Sequence, residues 1–381
     1  MTNKEVQSIF KHFNIDGHVV EISYFSNGLI NTSCKITAVV DNKMKEYVLQ
    51  KINKNVFKKP EEVMENISSV TNYIKQKINA NGESSKRRVL KFYKSDNGKY
   101  YTIDENGDYW RMYKYIDHSI ALNESNDPRV LEETGKAFGE FQQFLIDYNA
   151  KDLNIIIPHF HNTVDRYRLF REAIQKDPEH RVKEIKPLIN EYLNVEELAT
   201  KMYKMQRNGE LKLRVTHNDT KCNNVLLDDV TKEYLCVIDL DTVMPGLVGF
   251  DFGDAIRFGA STAKEDEICL ERVALDLDKF EAFTKGFLSK TANSLTEKEI
   301  ETLPLGAITM TLECGLRFLT DYIDGDNYFK KEYMDHNLDR AMCQLTLGLD
   351  MVRNYESMKQ IVEKHYNNAL VNSHKVENER S

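Results

Sequence analysis

Proton-accepting and cation-binding side chains are concentrated in residues 215–229, VTHNDTKCNNVLLDD. His217, Asp219 and Asn224 form the pattern His-x-Asp-x-x-x-x-Asn there, and Asp239 follows within the next apolar run, CVIDLD. The spacing suits phosphoryl transfer, because that reaction mainly requires alignment of a hydroxyl with a nucleotide γ-phosphate and neutralisation of charge. Asp219 would accept the hydroxyl proton. Asn224 and Asp239 would bind Mg²⁺ through hard oxygen atoms.

Each of these residues also has a simpler interpretation. The pattern could be a chance match in a chain rich in Asn and Asp, although the second run containing Asp239 makes coincidence rarer. His217 could be a base in other chemistry, but no Ser or Cys stands in a matching context, which favours a packed histidine that shapes the loop. Lys221 could screen the γ-phosphate as a point charge, or it could form an exposed salt bridge.

The elements that must position this segment differ between the two parts of the chain. Up to residue 116, β-branched and aromatic runs alternate with turn dipeptides such as Asn97-Gly98 and Asn106-Gly107, which predicts an antiparallel meander. One helix is predicted to begin at Pro60. After residue 128, apolar residues recur at helical spacing, so the second part is predicted to be mainly α-helical.

Composition narrows the classes of partner. The 381 residues, 41% hydrophobic and 29% charged, are enough for two lobes. The net charge of −8 argues against binding of nucleic acid. The six cysteines are scattered, which favours neither a zinc site nor disulfides. No signal-peptide pattern or membrane-length apolar run occurs, so we expect a cytoplasmic protein without a membrane partner. The oligomeric state is not predicted.

These motifs resemble the aminoglycoside phosphotransferase and choline kinase superfamily, which comprises small-molecule relatives of protein kinases. Within it, the chain is similar to the N-acetylhexosamine 1-kinases in YVLQKINKNVF, THNDTKCNNVL, CVIDLDTVMPGLVGFDFGDAIRF and GLRFLTDYIDGDNYF. The resemblance implies an α+β, bilobal, protein-kinase-like fold. Residues 1–112 would form a small antiparallel β-rich lobe with one helix, and 113–116 the hinge. Residues 117–365 would form a larger, mainly α-helical lobe, followed by a polar, frayed tail at 366–381.

The function implied by the resemblance is ATP-dependent, Mg²⁺-requiring phosphorylation of a sugar. The acceptor would be the anomeric hydroxyl of N-acetylglucosamine or N-acetylgalactosamine. Other acceptors used in the superfamily stay open, namely choline, homoserine, methylthioribose, fructosamine and aminoglycosides. A nucleotide-binding pseudokinase is a further alternative, but the intact set of Asp219, Asn224 and Asp239 argues against it.

Two further aspartates lie close to Asp239 in sequence. Residues 251–253 spell Asp-Phe-Gly, the metal motif of protein kinases, but Asp239 matches the superfamily's metal-binding aspartate better in spacing and context. Asp251 resembles instead the buried aspartate that braces the catalytic loop. Asp241 lies two residues past Asp239 and so on the same strand face, where it could be a second ligand or a substrate contact. The alternative for Asp241 is a solvated turn carboxylate.

A phosphate-binding lysine is expected on the third strand, in VLQK. Lys51 is the preferred candidate, because an uncharged Gln50 could not offset phosphate charge, although alignment on VL would place Gln50 in that position. The two side chains point to opposite faces of a strand, so only one can serve. Glu62 or Glu65 on the following helix would pair with the lysine, or could simply complement the helix dipole.

The remaining nucleotide contacts rest on the resemblance. The hairpin SNGLIN, with Gly28 and Asn31, would cover the nucleotide, although it lacks the pattern G-x-G-x-x-G. Tyr113 and Tyr115 flank Lys114 in the predicted hinge, whose backbone could pair with the adenine edge. A plain linker strand would have the same appearance.

The acceptor site is expected in the helical lobe near the catalytic loop. Glu313, Arg317 and Asp321 follow one another at four-residue intervals, which is equally typical of a solvated row of salt bridges. The resemblance favours contact of Arg317 with sugar oxygens and makes Asp321 a further candidate. A second candidate wall is PHFHNTVDRY at 158–167, although core packing would explain it equally well.

Overall fold

A computed structural model describes residues 1–25, 30–123 and 127–380, with the side chains of 373–380 excepted. The helices are α1 (Asn3–Phe10), α2 (Pro60–Ala80), α3 (Pro128–Phe144), α4 (Thr163–Lys176), α5 (Lys186–Asn194), α6 (Glu196–Arg207), α7 (Val248–Gly259), α8 (Leu277–Thr291), α9 (Glu297–Glu301), α10 (Leu303–Ile323), α11 (His336–Arg353) and α12 (Tyr355–Arg380). The strands are β1 (Gly17–Tyr24), β2 (Thr32–Val40), β3 (Lys43–Lys51), β4 (Thr102–Ile103), β5 (Tyr109–Lys114), β6 (Ser119–Ile120), β7 (Arg214–Thr216), β8 (Val225–Asp228), β9 (Tyr234–Val237) and β10 (Met244–Gly246).

The chain divides into two compact units whose segments alternate along the sequence. The first unit comprises Met1–Ile120, Lys151–Pro158 and Leu226–Met244. The second comprises Ala121–Ala150, His159–Val225 and Pro245–Ser381. The predicted α+β architecture, an antiparallel sheet in the first part and helices in the second, is confirmed. This division is discontinuous along the chain, because two later segments, 151–158 and 226–244, belong to the first unit.

The first unit is built on a five-stranded antiparallel sheet in the order β1-β2-β3-β5-β4. As the turn dipeptides predicted, Gly98 and Gly107 have positive φ, and α2 begins at Pro60. Helix α1 packs on one face of the sheet, with the fully buried Trp110 in the core between them. Gln50 lies opposite Arg111 and Lys51 opposite Trp110. Because neighbouring residues of a strand point to opposite faces, Gln50 and Lys51 are separated by the sheet.

A smaller sheet of the first unit, in the order β6-β8-β9, leads into the turn that carries Asp239. Asp239 lies two residues after β9 and has a left-handed backbone, with φ of 58°. A single 3-10 turn, Leu240–Thr242, follows it. The turn ends where Asn66 Nδ2 of α2 donates to the carbonyl oxygen of Val243 at 2.8 Å.

Close helix packing fixes the second unit. A side chain at Gly253 of α7 would collide with the backbone of Gly306 in α10, and one at Gly286 of α8 would collide with the carbonyl of Glu132 in α3. Phe252 packs edge-on against Phe280, Phe283 and Phe287 at ring-centroid distances of 5.9, 5.5 and 5.5 Å. Because neither Gly253 nor Gly306 has a side chain, the backbones of α7 and α10 pack directly against each other.

The C-terminal segment is helical over its described residues. Its polar composition predicts a frayed tail at 366–381, and the backbone of α12 runs as a helix from Tyr355 to Arg380. Buried Met358 and Val362 anchor the first turns of this helix, and helix propagation costs less than helix nucleation. Of the helices that the structure describes, none combines the length and apolar character that crossing a bilayer demands.

Candidate active site

The loop after β7 is braced by a buried carboxylate of α7. Asp251 Oδ2 accepts hydrogen bonds from the backbone N–H of His217 at 2.8 Å and from Gln142 Nε2 at 2.9 Å. Its Oδ1 accepts from the backbone N–H of Asn218 at 2.8 Å. Burial raises the pKa of Asp251, and these donors oppose that effect. They also hold Asn218 at a φ of 64°, a conformation that an asparagine adopts only with local support.

One helical turn further along α7, Asp254 and Arg257 hold the next part of the loop. Asp254 Oδ2 accepts from the backbone N–H of Thr220 at 3.0 Å, while Thr220 Oγ1 donates to the carbonyl oxygen of Asp251 at 2.5 Å. Arg257 donates to Asp254 Oδ1 from Nε at 3.1 Å and from a terminal nitrogen at 3.0 Å. Sequence analysis missed both residues, although buried charges three positions apart in an apolar helix were a detectable signal.

Asp219 lies between an amide and an ammonium group of the same loop. Asn224 Nδ2 donates to the backbone oxygen of Asp219 at 2.8 Å and to Asp219 Oδ2 at 3.1 Å. Lys221 Nζ lies 3.1 Å from Asp219 Oδ1. Attraction to Asp219 raises the pKa of Lys221 against the opposing effect of burial. Because the nitrogen of the Asn224 amide is committed to Asp219, its oxygen is the atom suited to a cation.

His217 is a packed ring in the structure. It is fully buried, with Phe138 and Phe141 edge-on at 5.5 and 6.0 Å. Its Nδ1 accepts from the backbone N–H of Asp219 at 3.3 Å. This ring therefore supports the loop through its contact with the Asp219 backbone.

The turn that carries Asp239 belongs to the first unit and contains a buried ion pair. Asp241 is 3% exposed and pairs with Arg111, which is 2% exposed, so Asp241 is not a solvated turn carboxylate. Asn31 Nδ2 donates to Asp241 Oδ2 at 2.5 Å. Sequence analysis missed Arg111, although an arginine within the apolar run YWRMYKYI required a buried partner.

Lys51 has a different partner from the two expected. It pairs with Asp108, which also binds Lys54 Nζ at 2.8 Å. Glu62 pairs instead with its neighbour Lys59 at 2.7 Å. Glu65 accepts from Asn154 Nδ2 at 3.0 Å. Glu62 and Glu65 therefore pair with residues near α2 and not with Lys51. The Lys51 side chain lies on the same face of the sheet as Trp110.

Gln50 lies on the other face, next to the ion pair. Its Oε1 accepts from Arg111 Nε at 2.9 Å, and its Nε2 donates to Ser33 Oγ at 2.9 Å. An uncharged side chain at position 50 thus connects β2, β3 and β5 and orients the arginine.

The other predicted nucleotide contacts are Gly28, Asn31, Tyr113 and Tyr115. Gly28 lies outside the described residues. The Asn31 side chain is engaged on both sides, since its Oδ1 also accepts from the backbone N–H of Asn53 at 3.0 Å. Tyr113 lies within β5 opposite Val48, and the backbone N–H of Tyr115 donates to the carbonyl oxygen of Glu46 at 3.1 Å. Pairing of this segment with adenine remains a prediction.

A second buried charge cluster lies on α10 and the segment before α4. Glu313, 1% exposed, binds His161 Nδ1 through Oε2 at 2.8 Å, and its Oε1 lies 3.6 Å from Arg166 Nε. Burial acts to raise the pKa of Glu313, but the interactions with His161, Arg317 and Arg166 outweigh it, so that this pKa lies below its ordinary value. Glu313 Oε1, His161 Nε2 and Arg166 Nε have no hydrogen-bond partner within the described chain. We call Glu313, His161, Arg166 and Arg317 the α10 cluster.

Arg317 lies one turn beyond Glu313, among aromatic rings. Its guanidinium carbon is 5.6 Å from the centre of the Phe160 ring, 5.9 Å from that of Tyr328 and 5.4 Å from that of Phe329. The rings enclose the cation without neutralising it, because cation–π attraction leaves the N–H donors available.

Asp321, on the same helix, uses both carboxylate oxygens internally. Oδ1 accepts from the backbone N–H groups of Asn327 at 2.9 Å and Tyr328 at 2.8 Å. Oδ2 accepts from the backbone N–H of Phe329 at 2.9 Å and from Asn337 Nδ2 at 3.1 Å. Asp321 therefore holds the loop whose rings surround Arg317.

A cavity of about 510 Å³ lies within the second unit beside the catalytic loop. Its walls include Cys222 of the loop, Arg257 and Phe258 of α7, and Gln344 of α11. Gln344 is 2% exposed, and its Oε1 has no hydrogen-bond partner in the described part of the chain. A polar ligand could supply the missing donor.

Comparison with known proteins supports the same chemistry. Residues 83–282, just over half of the chain, match the model of a family described as the phosphotransferase enzyme family. The fold is similar to that of an aminoglycoside phosphotransferase from Alicyclobacillus acidocaldarius, with 10% identity, coverage of 94% of this chain and 96% of that chain, and a TM-score of 0.59.

Two further solved structures share the fold. A microcompartment-associated aminopropanol kinase is 13% identical, with coverage of 94% of this chain and 99% of that chain and a TM-score of 0.58. A choline kinase from Cryptosporidium parvum is 15% identical, with coverage of 94% and 98% and a TM-score of 0.57.

Proposed function

Because this chain belongs to the phosphotransferase enzyme family, it transfers phosphate to a small molecule, and we propose that the acceptor is an N-acetylhexosamine. The reaction would move the γ-phosphoryl group of ATP to the anomeric hydroxyl, giving the sugar 1-phosphate and ADP. The observation that carries the proposal is the placement of Asp219 between Asn224 and Lys221 on a loop braced by Asp251.

Asp219 is proposed as the catalytic base. Its carboxylate would accept the proton of the acceptor hydroxyl as the oxygen attacks the phosphorus atom. The contacts from Asn224 and Lys221 orient the carboxylate before the acceptor arrives, which is how positioning contributes to phosphoryl transfer. The donors from the loop backbone to Asp251 and Asp254 keep the base in place.

The chemistry of each predicted ligand, taken singly, suits Mg²⁺. Asn224 and Asp239 are predicted from the sequence to bind the ion, because each side chain offers a hard oxygen atom. Two protein ligands suit Mg²⁺, which usually completes its shell with water and substrate phosphates. When bound, the ion would supply neutralisation of phosphate charge. Gly28, Tyr113 and Tyr115 remain the predicted nucleotide contacts. Lys51, the fourth, pairs with Asp108 on the face of the sheet opposite the one where Arg111 meets Asp241.

The charge of the α10 cluster favours a neutral, oxygen-rich acceptor. Arg317 and Arg166 contribute two positive charges beside the single carboxylate of Glu313. Choline or an aminoglycoside would be repelled by this excess, whereas sugar hydroxyls can accept from a guanidinium and an N-acetyl methyl can pack on an aromatic ring. Asp241 and Asp321 use both carboxylate oxygens within the protein, so we assign them positioning roles and give substrate contact to Arg317.

An amino-alcohol acceptor is the second candidate. Glu265, Asp266 and Glu267 line the cavity beside the catalytic loop and would attract an ammonium group. Arg257 and three further cationic residues line the same cavity and offset those carboxylates; the three are Lys264, Lys279 and Arg340. The sugar is therefore the favoured acceptor.

A panel of acceptors tests the proposal. Purified protein with ATP and Mg²⁺ should release ADP fastest with N-acetylglucosamine or N-acetylgalactosamine, and NMR should place the phosphate on the anomeric oxygen. Preference for choline, aminopropanol, homoserine or an aminoglycoside would overturn the sugar assignment but retain the kinase. Absence of turnover with every acceptor, together with retained nucleotide binding, would instead support the pseudokinase alternative.

A further inference from the structure

We propose that Arg111 is a positioning residue for the proposed metal ligand Asp239 and acts through Asp241. The inference rests on the proposed function, because it assumes that Asp239 holds Mg²⁺ with the nucleotide. It adds a role for four residues that we call the Arg111 cluster, namely Asn31, Gln50, Arg111 and Asp241. All four lie in the first unit, as does Asp239.

The turn that carries Asp239 has an unusual backbone conformation. Asp239 has φ of 58° and ψ of 56°, in the left-handed region that non-glycine residues rarely occupy. Such a conformation persists only where the surroundings over-determine it. The direction of the Asp239 carboxylate depends on this backbone, so whatever holds the turn also aims the ligand.

The turn is held at two points after Asp239. Asp241, two residues on, is tied to Arg111, and the carbonyl oxygen of Val243, four residues on, is tied to Asn66. Asn66 is itself held by Asn154, through N–H···O contacts of 2.8 and 2.9 Å. Of the two ties, only the one at Asp241 is ionic.

Arg111 is oriented by residues of the sheet as well as by the turn. Ser33, Gln50 and Arg111 lie directly opposite one another across β2, β3 and β5. Gln50 donates to Ser33 and accepts from Arg111 Nε, which leaves the terminal nitrogens of the guanidinium for Asp241. A lysine at position 50 could not accept that bond, which gives a physical reason for glutamine there.

The carboxylate of Asp241 has a second partner besides Arg111. Asn31, which directly precedes β2, donates to Asp241 Oδ2, so Asn31 and Arg111 share one carboxylate. Burial acts to lower the pKa of Arg111, but attraction to Asp241 and, more weakly, to Asp239 raises it. The guanidinium charge therefore acts on both carboxylates of the turn.

The test separates Mg²⁺-dependent from Mg²⁺-independent nucleotide binding. Calorimetry would measure ADP affinity of the full chain with and without Mg²⁺, for wild type, Arg111→Met and Arg111→Lys. Outer partners of metal ligands typically contribute about 10–100-fold to metal affinity. We expect Arg111→Met to lose at least about tenfold of the Mg²⁺-dependent gain, while Mg²⁺-free affinity and the KM for the acceptor stay within about threefold. Arg111→Lys should lie between Arg111→Met and wild type.

Matched variants keep the outcome interpretable. Lys35→Met removes a partly exposed ion pair with Glu46 in the same sheet and should retain the full Mg²⁺ gain. Arg111→Met alone leaves a buried unpaired carboxylate and could fail to fold, whereas Arg111→Met combined with Asp241→Met removes both charges and should fold. The double variant must also lose the Mg²⁺ gain.

The outcomes distinguish this inference from the proposed function. A folded double variant with the wild-type Mg²⁺ gain would overturn the role of Arg111 while leaving the kinase assignment intact. Loss of Mg²⁺-free ADP affinity in equal proportion would also overturn it, because the cluster would then only support the fold. A wild-type protein whose ADP affinity does not respond to Mg²⁺ would remove the proposed metal role of Asp239 and this inference with it.

Discussion

The Arg111 cluster and the α10 cluster both bury an arginine-bearing charge network, but they differ in how completely it is satisfied. In the Arg111 cluster, every buried side-chain nitrogen and oxygen has a partner among the described residues. In the α10 cluster, three buried atoms lack one, on Glu313, His161 and Arg166. A fully paired network holds geometry, whereas an incompletely paired one retains hydrogen-bonding capacity for a ligand.

The same contrast appears within α10 itself. Asp321 accepts four hydrogen bonds and has no capacity to spare, while Glu313, two turns earlier, leaves Oε1 unpaired. Spacing along a helix places both residues on one face but does not reveal which is saturated. The number of hydrogen bonds that a side chain already makes, more than its position on the helix, therefore separates residues that can bind a ligand from residues that support the fold.

The largest expected effect is on kcat and comes from Asp219, which belongs to neither cluster. Asp219→Ala should lower kcat by about 10²–10⁴-fold, the usual contribution of a positioned base. Nucleotide affinity should change little, because the variant removes a group that acts on the acceptor. Steady-state kinetics and calorimetry measure the two quantities, with the surface variant Asp278→Ala as control. Near-normal turnover would eliminate the proposed mechanism.

The next largest effect is a loss of stability from the saturated cluster. Asp241→Ala should lower the free energy of unfolding by about 3–5 kcal/mol, because it leaves the Arg111 guanidinium buried without a counter-ion. Thermal or denaturant unfolding measures it. A loss below about 1 kcal/mol, the size usual for an exposed pair, would contradict the view that this network holds the turn.

The unsaturated cluster should show the opposite profile. Arg317→Ala should reduce kcat/KM for the sugar about 10–100-fold, the range expected when a charged hydrogen-bond donor is lost. The free energy of unfolding should fall by less than about 1 kcal/mol, because no ion pair is broken. Arg353→Ala, with a side chain 65% exposed on the same unit, is the matched control. Equal loss of activity in the two variants would refute a specific role for Arg317.

The smallest effect concerns acid pH and Glu313. Its pKa lies below the ordinary value of 4.5 in the folded protein, mainly through His161, so its ionised form contributes stability above that value. This contribution is lost as pH falls through the lowered pKa. Glu313→Gln should therefore show a shallower decline in Tm below about pH 4.5 than wild type. Parallel curves of Tm against pH for the two proteins would show that the Glu313 carboxylate contributes nothing to the loss of stability at acid pH.

The sequence predicted best what is local. The turns at Gly98 and Gly107, the start of α2 and the catalytic-loop motif each depend on residues a few positions apart, and steric or capping rules specify them directly. Asn224 meets Asp219 across five residues, a distance that the motif itself encodes.

The missed features depend on distant pairs. Arg111 and Asp241 are 130 residues apart, and Lys51 pairs with Asp108 across two strands. Charge alone favours Lys51 over Gln50 in the sequence. No pattern in the sequence shows that Arg111, on the neighbouring strand β5, supplies a cation on the face of the sheet where Gln50 lies. A lone charge in an apolar strand shows that a partner exists but not which residue it is.

The return of residues 226–244 to the first unit restricts how this protein can be dissected or recombined. A fragment ending at residue 120 would contain Arg111 but neither β8, β9 nor the carboxylate that neutralises it. If the N-terminal region alone were transferred to a homologous protein, Arg111 would therefore meet the turn of that protein without its own partner, Asp241. Chimaeras of this enzyme require at least two exchanged segments, with the donor's aspartate travelling alongside its arginine.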